Sequence, residues 1–115
     1  MEISKPNEYG AMKAGYEEVI ARHGERCFAK VNVALCEDGL YRQSTSMMYS
    51  YGGFSGPVFM CTPGYGAIAE AIDAGLRELL RRWHRPFPSE PQSVHDELND
   101  MQQQIEARIR QPTLF

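Results

Sequence analysis

The stretch Arg26–Gly53, RCFAKVNVALCEDGLYRQSTSMMYSYGG, decides the fold. Cys27, Ala29, Val31, Val33 and Leu35 alternate onto one face while Lys30 and Asn32 take the other, the period of two that marks a half-buried strand. The Asp38-Gly39 pair supplies a hairpin signal. Beyond it Tyr41, Met47, Tyr49 and Tyr51 share a parity that Gln43 and Thr45 interrupt. GGFSGP then reads as a flexible turn, and VFMC, Val58 to Cys61, as a third short strand. Connections this short imply a three-stranded antiparallel meander.

Before this stretch, PNEYGAMKAGYEEVIARHG sets Tyr9, Met12, Tyr16, Val19 and Ile20 at helical spacing. A first helix is expected there, capped by Asn7 or Ser4 and stopped near His23 and Gly24, with Gly10 and Gly15 each weakening it by about 1 kcal/mol. After the meander, TPGYGAIAEAIDAGLRELLRRWHRP predicts the strongest helix of the chain. Thr62 is placed to cap it, Pro63 suits its first turn, and Pro86 ends it. Tyr65, Ile68, Ile72, Leu76, Leu79, Leu80 and Trp83 form a wide apolar face, which should cover the apolar side of the sheet. The expected class is α+β: helix, three-stranded meander, long covering helix and C-terminal helix. The order helix, three strands, helix fills a globular domain over residues 1–86. A proline-rich hinge follows at 87–92, then a helix at 93–110 in which Ser93 and Asp96 resemble a capping box, and a tail peptide at 111–115.

Composition sets outer limits. In 115 residues, 43% hydrophobic and 23% charged, there is material for one ordinary core, so disorder of the whole chain is not expected. A formal net charge of −3 gives no global attraction to nucleic acid or to an anionic membrane surface. No apolar run approaches the roughly 20 residues of a membrane helix. The opening MEISKPNEYG does not resemble a secretory leader, and three cysteines cannot all pair, so a reducing cytoplasm is the expected compartment.

Chemistry-bearing patterns are sparse. Cys27, Cys36 and Cys61 with His23, His84 and His95 offer zinc-type donors, but no cysteine lies in a CxxC, and the thiols are better explained as small buried residues. Ser55 in GGFSGP lacks the GxSxG elbow and an obvious histidine and acid. Ser44, Ser46 and Ser50 share parity with Arg42 and read as a solvated face. PGYGAIAEA places glycines before a helix without the phosphate-loop lysine. The expectation is a non-enzymatic protein with no catalytic residue, no metal and no cofactor.

Two surfaces remain. Arg77, Arg81, Arg82 and Arg85 surround Trp83, a set able to contact phosphate and stack on a base. The same arginines also suit the negative end of their helix and the acidic residues of the last helix. Val94, Leu98, Met101 and Ile105 form a narrow seam on the last helix, which either docks on its own domain or pairs with a second copy as a homo-oligomer.

The tail QPTLF resembles the pentapeptide by which bacterial proteins bind the DNA polymerase sliding clamp, usually glutamine, leucine, a small or acidic residue, leucine and phenylalanine. That resemblance implies polar contacts from Gln111 at a pocket rim and apolar anchoring by Leu114 and Phe115. Pro112 departs from the commonest second residue, while Thr113 is an acceptable small one. A proline there also disfavours helix at Gln111 and holds the segment extended. The alternative is that Leu114 and Phe115 fold back onto the domain's own core. More loosely, the order of elements is similar to that of double-stranded RNA-binding domains, without their lysine-rich helix entry, and AEAIDAGLRELL is similar to the helix of small antitoxin domains. The chain as a whole looks like the small accessory proteins of bacteria, phages and mobile elements.

Overall fold

The computed structural model describes residues 1–111. Among these the chain forms six strands and two helices in an α+β arrangement: β1 Ala11–Met12, β2 Tyr16–His23, β3 Cys27–Leu35, β4 Tyr41–Tyr49, β5 Gly52–Phe54, β6 Val58–Phe59, α1 Ile68–Arg81 and α2 Gln92–Arg110. Strands β2-β3-β4-β5 make one antiparallel sheet in sequence order, and β1 pairs with β6 in a separate two-stranded ribbon. Both helices lie on one face of the sheet, α1 across β3 and β4 and α2 beside β2.

The hairpin β3–β4 forms as its alternation and its Asp38-Gly39 turn imply, with Gly39 at φ 83° and register running from Phe28–Met48 to Leu35–Tyr41. Ala29, Val31 and Val33 face the helices with Ile72, Leu76, Leu79, Leu98, Met101 and Ile105, all buried. Gln43 and Thr45 stand opposite Val33 and Val31 and so share this apolar face. Their Oε1 and Oγ1 atoms are buried without a hydrogen-bond partner among the described residues.

In place of the expected first helix the chain forms two strands, β1 and β2, which belong to different sheets. Residues 16–23 form β2 along the edge of β3, and Gly15 N donates to Val33 O at 2.9 Å, extending the pairing. The central strand needs partners for its backbone on both edges. A helix carrying two glycines and the adjacent β-branched pair Val19 and Ile20 competes poorly with that demand. Asn7, a candidate cap, accepts from Tyr9 N and Ala11 N in a local turn.

The third strand is also different. The chain reverses directly after Tyr49, so Gly52–Phe54 takes the place next to β4. Gly53 has φ 158°, and a Cβ there would lie 2.1 Å from Met47 O, so this approach requires glycine. Val58–Phe59 leaves the sheet and pairs with β1. This ribbon covers one end of the opposite sheet face, burying Met12, Ala34, Cys36 and Val58 as a second apolar cluster.

The covering helix is shorter than its sequence implies. Thr62 Oγ1 donates to Phe59 O at 2.7 Å, and Tyr65 exchanges both backbone bonds with Tyr41, so helix begins only at Ile68. At the other end Trp83 lies beyond the last helical residue, Arg81. The capping box expected at Ser93 and Asp96 is absent among the described residues: α2 starts at Gln92 after Pro91, without a side-chain cap.

Gly75 sets how closely α1 approaches the sheet, because a Cβ there would lie 2.5 Å from Val31 Cγ1. Alanine in place of glycine gains about 1 kcal/mol of helix propensity in open surroundings. Here overpacking should outweigh that gain, and Gly75→Ala is expected to lose about 1–2 kcal/mol net in urea denaturation. A gain in stability would contradict this packing. Thr45→Val removes an unpartnered buried hydroxyl at constant shape and should add about 1 kcal/mol. Calorimetry would show this as a rise in Tm of roughly 4 °C.

Candidate functional site

The basic cluster is held differently from a stacking surface. Trp83 is only 9% exposed, and its Nε1 donates to the carbonyl of Leu98 at 3.2 Å, which ties the end of α1 to α2. Its ring therefore belongs to the core and cannot stack on a base; the amphipathic residue that ends an apolar stripe is used here as a rivet. Around it, Arg77 pairs with Asp73 and Arg81 with Glu78, each within α1. The guanidinium of Arg82 lies 4.1 Å from the Phe54 ring centroid, a cation–π contact onto β5. Arg85 is exposed. The Arg81 bond holds the Glu78 carboxyl below the usual carboxylate range.

The seam of α2 is closed within the chain. Val94, Leu98, Met101 and Ile105 are between 0 and 1% exposed in the core shared with α1 and the sheet. A second copy cannot reach them while this packing persists, so of the two arrangements open to the stripe the structure shows docking on the chain's own domain. Polar bonds reinforce this docking: Gln104 exchanges bonds with the Arg22 backbone, His23 Nδ1 lies 2.8 Å from Asp100 Oδ2, and Arg108 pairs with Glu18. The His23 contact is the main reason the Asp100 carboxyl is held low.

Of the three serines assigned to a solvated face, Ser46 is buried, Ser44 is half-buried and Ser50 is exposed. Ser46 is 5% exposed, its Oγ accepting from Asn32 Nδ2, and Arg42 is 8% exposed, packed against Met60. Arg42 is clamped by both oxygens of Asp38 at 3.0 and 3.1 Å and donates to Thr62 O at 2.9 Å. This pairing raises the Arg42 pKa and lowers that of Asp38. Of the thiols, Cys27 and Cys36 are buried, in different clusters, but Cys61 is exposed. No group of three metal-ligating side chains occurs among the described residues.

Sequence reasoning missed one buried polar cluster altogether. Glu97 on α2 is 5% exposed, and its carboxylate accepts from the hydroxyl of Ser50, which is 2.7 Å from Oε2. The Cys27 thiol lies beside them, pushed up by burial first and by the Glu97 charge second, so it is a poor nucleophile. A cleft of about 540 Å³ opens nearby between Arg26, Cys27, Ser93 and Asp96. Only the anomaly of a glutamate adjoining the apolar Leu98 position could have marked this site, since Ser50 is 47 residues away.

At the end of α2, Gln111 is exposed, and its φ −69° and ψ 122° turn the backbone from helix to extended. Leu114 and Phe115 lie outside the described residues. No family model, curated protein or solved structure matches the chain. Its function has to follow from its own chemistry.

The Ser50–Glu97 contact sets a stability test. Ser50→Ala strands a buried carboxylate and should cost about 1–3 kcal/mol in urea unfolding at pH 7. Glu97→Gln removes the buried charge while keeping an acceptor, and is expected to cost less than Ser50→Ala. The reverse order would show that the hydroxyl does not support this carboxylate.

Proposed function

We propose that the chain is a non-enzymatic accessory or regulatory protein of a bacterium or phage, recruited to the replication and repair sliding clamp through Gln111–Phe115. The observation that carries this is the transition at Gln111: α2 stops at Arg110, and an exposed glutamine with extended backbone opens the QPTLF sequence. A peptide that starts with an exposed polar residue suits a rim-and-pocket mode of docking, in which two apolar anchors supply most of the affinity. Anchoring also supports it. The α2 helix is packed onto the sheet along its length, so a partner that takes the peptide would gain a folded domain held at a short, defined distance.

The folded part would then present the exposed arginines Arg77, Arg81, Arg82 and Arg85 as a rim-type surface to a further partner or to DNA phosphate, without base stacking by Trp83. No helix among the described residues is long and apolar enough to cross a membrane.

The decisive measurement is binding of a purified bacterial sliding clamp to the full chain and to a version lacking Gln111–Phe115. The full chain should bind in the micromolar range, and the truncated one should lose binding while keeping its melting temperature. The double substitution Leu114→Ala and Phe115→Ala should reproduce that loss. Equal binding by full and truncated chains, or none by either, would overturn the proposal.

A further inference from the structure

The chain that leaves α1 builds an aromatic and cationic edge whose outer members stay exposed. Between Arg82 and Pro91 there is neither helix nor strand. This stretch lays its side chains on the edge of the sheet. The guanidinium of Arg82 lies 4.1 Å from the Phe54 ring centroid, and the His84 ring stacks on Tyr49 with centroids 5.4 Å apart and planes 17° from parallel. Phe87 then meets His84 edge-on at 6.2 Å. Phe54 opposes Met47 and Tyr49 opposes Gly52, so both rings stand on the helix side of the last two strands.

The groups a partner would meet are open to solvent. Phe87 is 66% exposed, and Arg82 and Arg85 are exposed without an ion-pair partner among the described residues. This separates them from Arg77 and Arg81, whose charges are matched within α1. The one acid of the stretch is turned inward. Glu90 accepts from Phe87 N at 3.0 Å, lies 3.6 Å from His84 Nε2, and has a side chain 17% exposed. On a chain of formal net charge −3, the sign of this edge is therefore positive.

Two demands narrow the occupant. The Phe87 ring offers a π-face to a flat partner, and a guanidinium matches phosphate, which it grips with two parallel bonds. An acidic peptide would meet the arginines and leave the ring bare; an apolar peptide would do the reverse. A nucleotide brings both groups in every unit. In a duplex the base faces are already stacked on one another, so a single strand is the form that can offer them to Phe87.

We propose that this edge binds single-stranded DNA, with a base stacked on Phe87 and phosphates on Arg82 and Arg85. The inference rests on the reading above in which the arginine surface faces DNA, and supplies the stacking ring that buried Trp83 cannot. It does not depend on the clamp: a chain lacking Gln111–Phe115 should bind the strand as well as the full chain does.

The test is fluorescence anisotropy of labelled oligothymidylate titrated with the full chain, beside its duplex with oligoadenylate and beside oligouridylate. The single DNA strand should bind saturably in the micromolar range and more tightly than the duplex. Its affinity should fall with salt at a log–log slope of about −1.4, for two phosphates at about 0.7 each. Phe87→Leu keeps an apolar side chain without a ring and should weaken binding about fivefold or more, while Phe87→Trp should preserve it. Arg85→Gln should weaken binding and reduce the slope by about 0.7. Both positions are exposed, so these variants should keep the melting temperature of the parent chain. No saturable binding at low salt, preference for the duplex or the RNA strand, salt independence, or undiminished binding by Phe87→Leu would overturn the proposal.

Discussion

Strand β3 is the constraint from which the rest of the structure follows. It is hydrogen-bonded along both edges, by β2 and β4, and its helix-facing side chains Ala29, Val31 and Val33 are fully buried. A central strand needs a partner for every backbone group, and that requirement converts residues 16–23 into a strand despite their helical spacing. It also fixes where α1 sits, because Val31 meets the helix at the one position, Gly75, that has no side chain. On the other face the same strand carries Asn32, Lys30 and Ala34, and so divides that face into a sealed end under the ribbon and an open furrow.

Charge is arranged around this frame with local closure. Most ionic groups near the helices find partners within a turn or across the α2–β2 seam, as in Arg77 with Asp73 and Arg108 with Glu18. The exceptions are informative. Glu97 is buried against a hydroxyl and a thiol, and Arg82 and Arg85 stand exposed without an acidic partner among the described residues. Charges that the fold leaves unpaired mark the places where something other than folding could have shaped the residue.

What the sequence reveals depends on whether a signal is local. The β3–β4 hairpin and the core of α1 are legible because alternation, Asp38-Gly39 and the Ile68-to-Leu79 stripe are each contained in one element. Strand β2 is not, since the register shift between Val19 and Ala21 puts Ile20 out of phase and hides the alternation. The α2 stripe is visible in sequence, but its partner is a matter of tertiary packing. Trp83 allows two readings for the same reason: helical spacing locates it on the apolar face that the core buries, but not its hydrogen bond to Leu98. The contact of Ser50 with Glu97 cannot be read without the strand register.

Trp83 has one more consequence. It is the single tryptophan of the chain, and its indole is bonded to the α2 backbone inside the joint between the two helices. Its emission is therefore an intrinsic optical gauge of whether α2 is seated. Undocking of that helix would wet the indole and shift its fluorescence to the red, even where strand pairing persisted and circular dichroism scarcely changed.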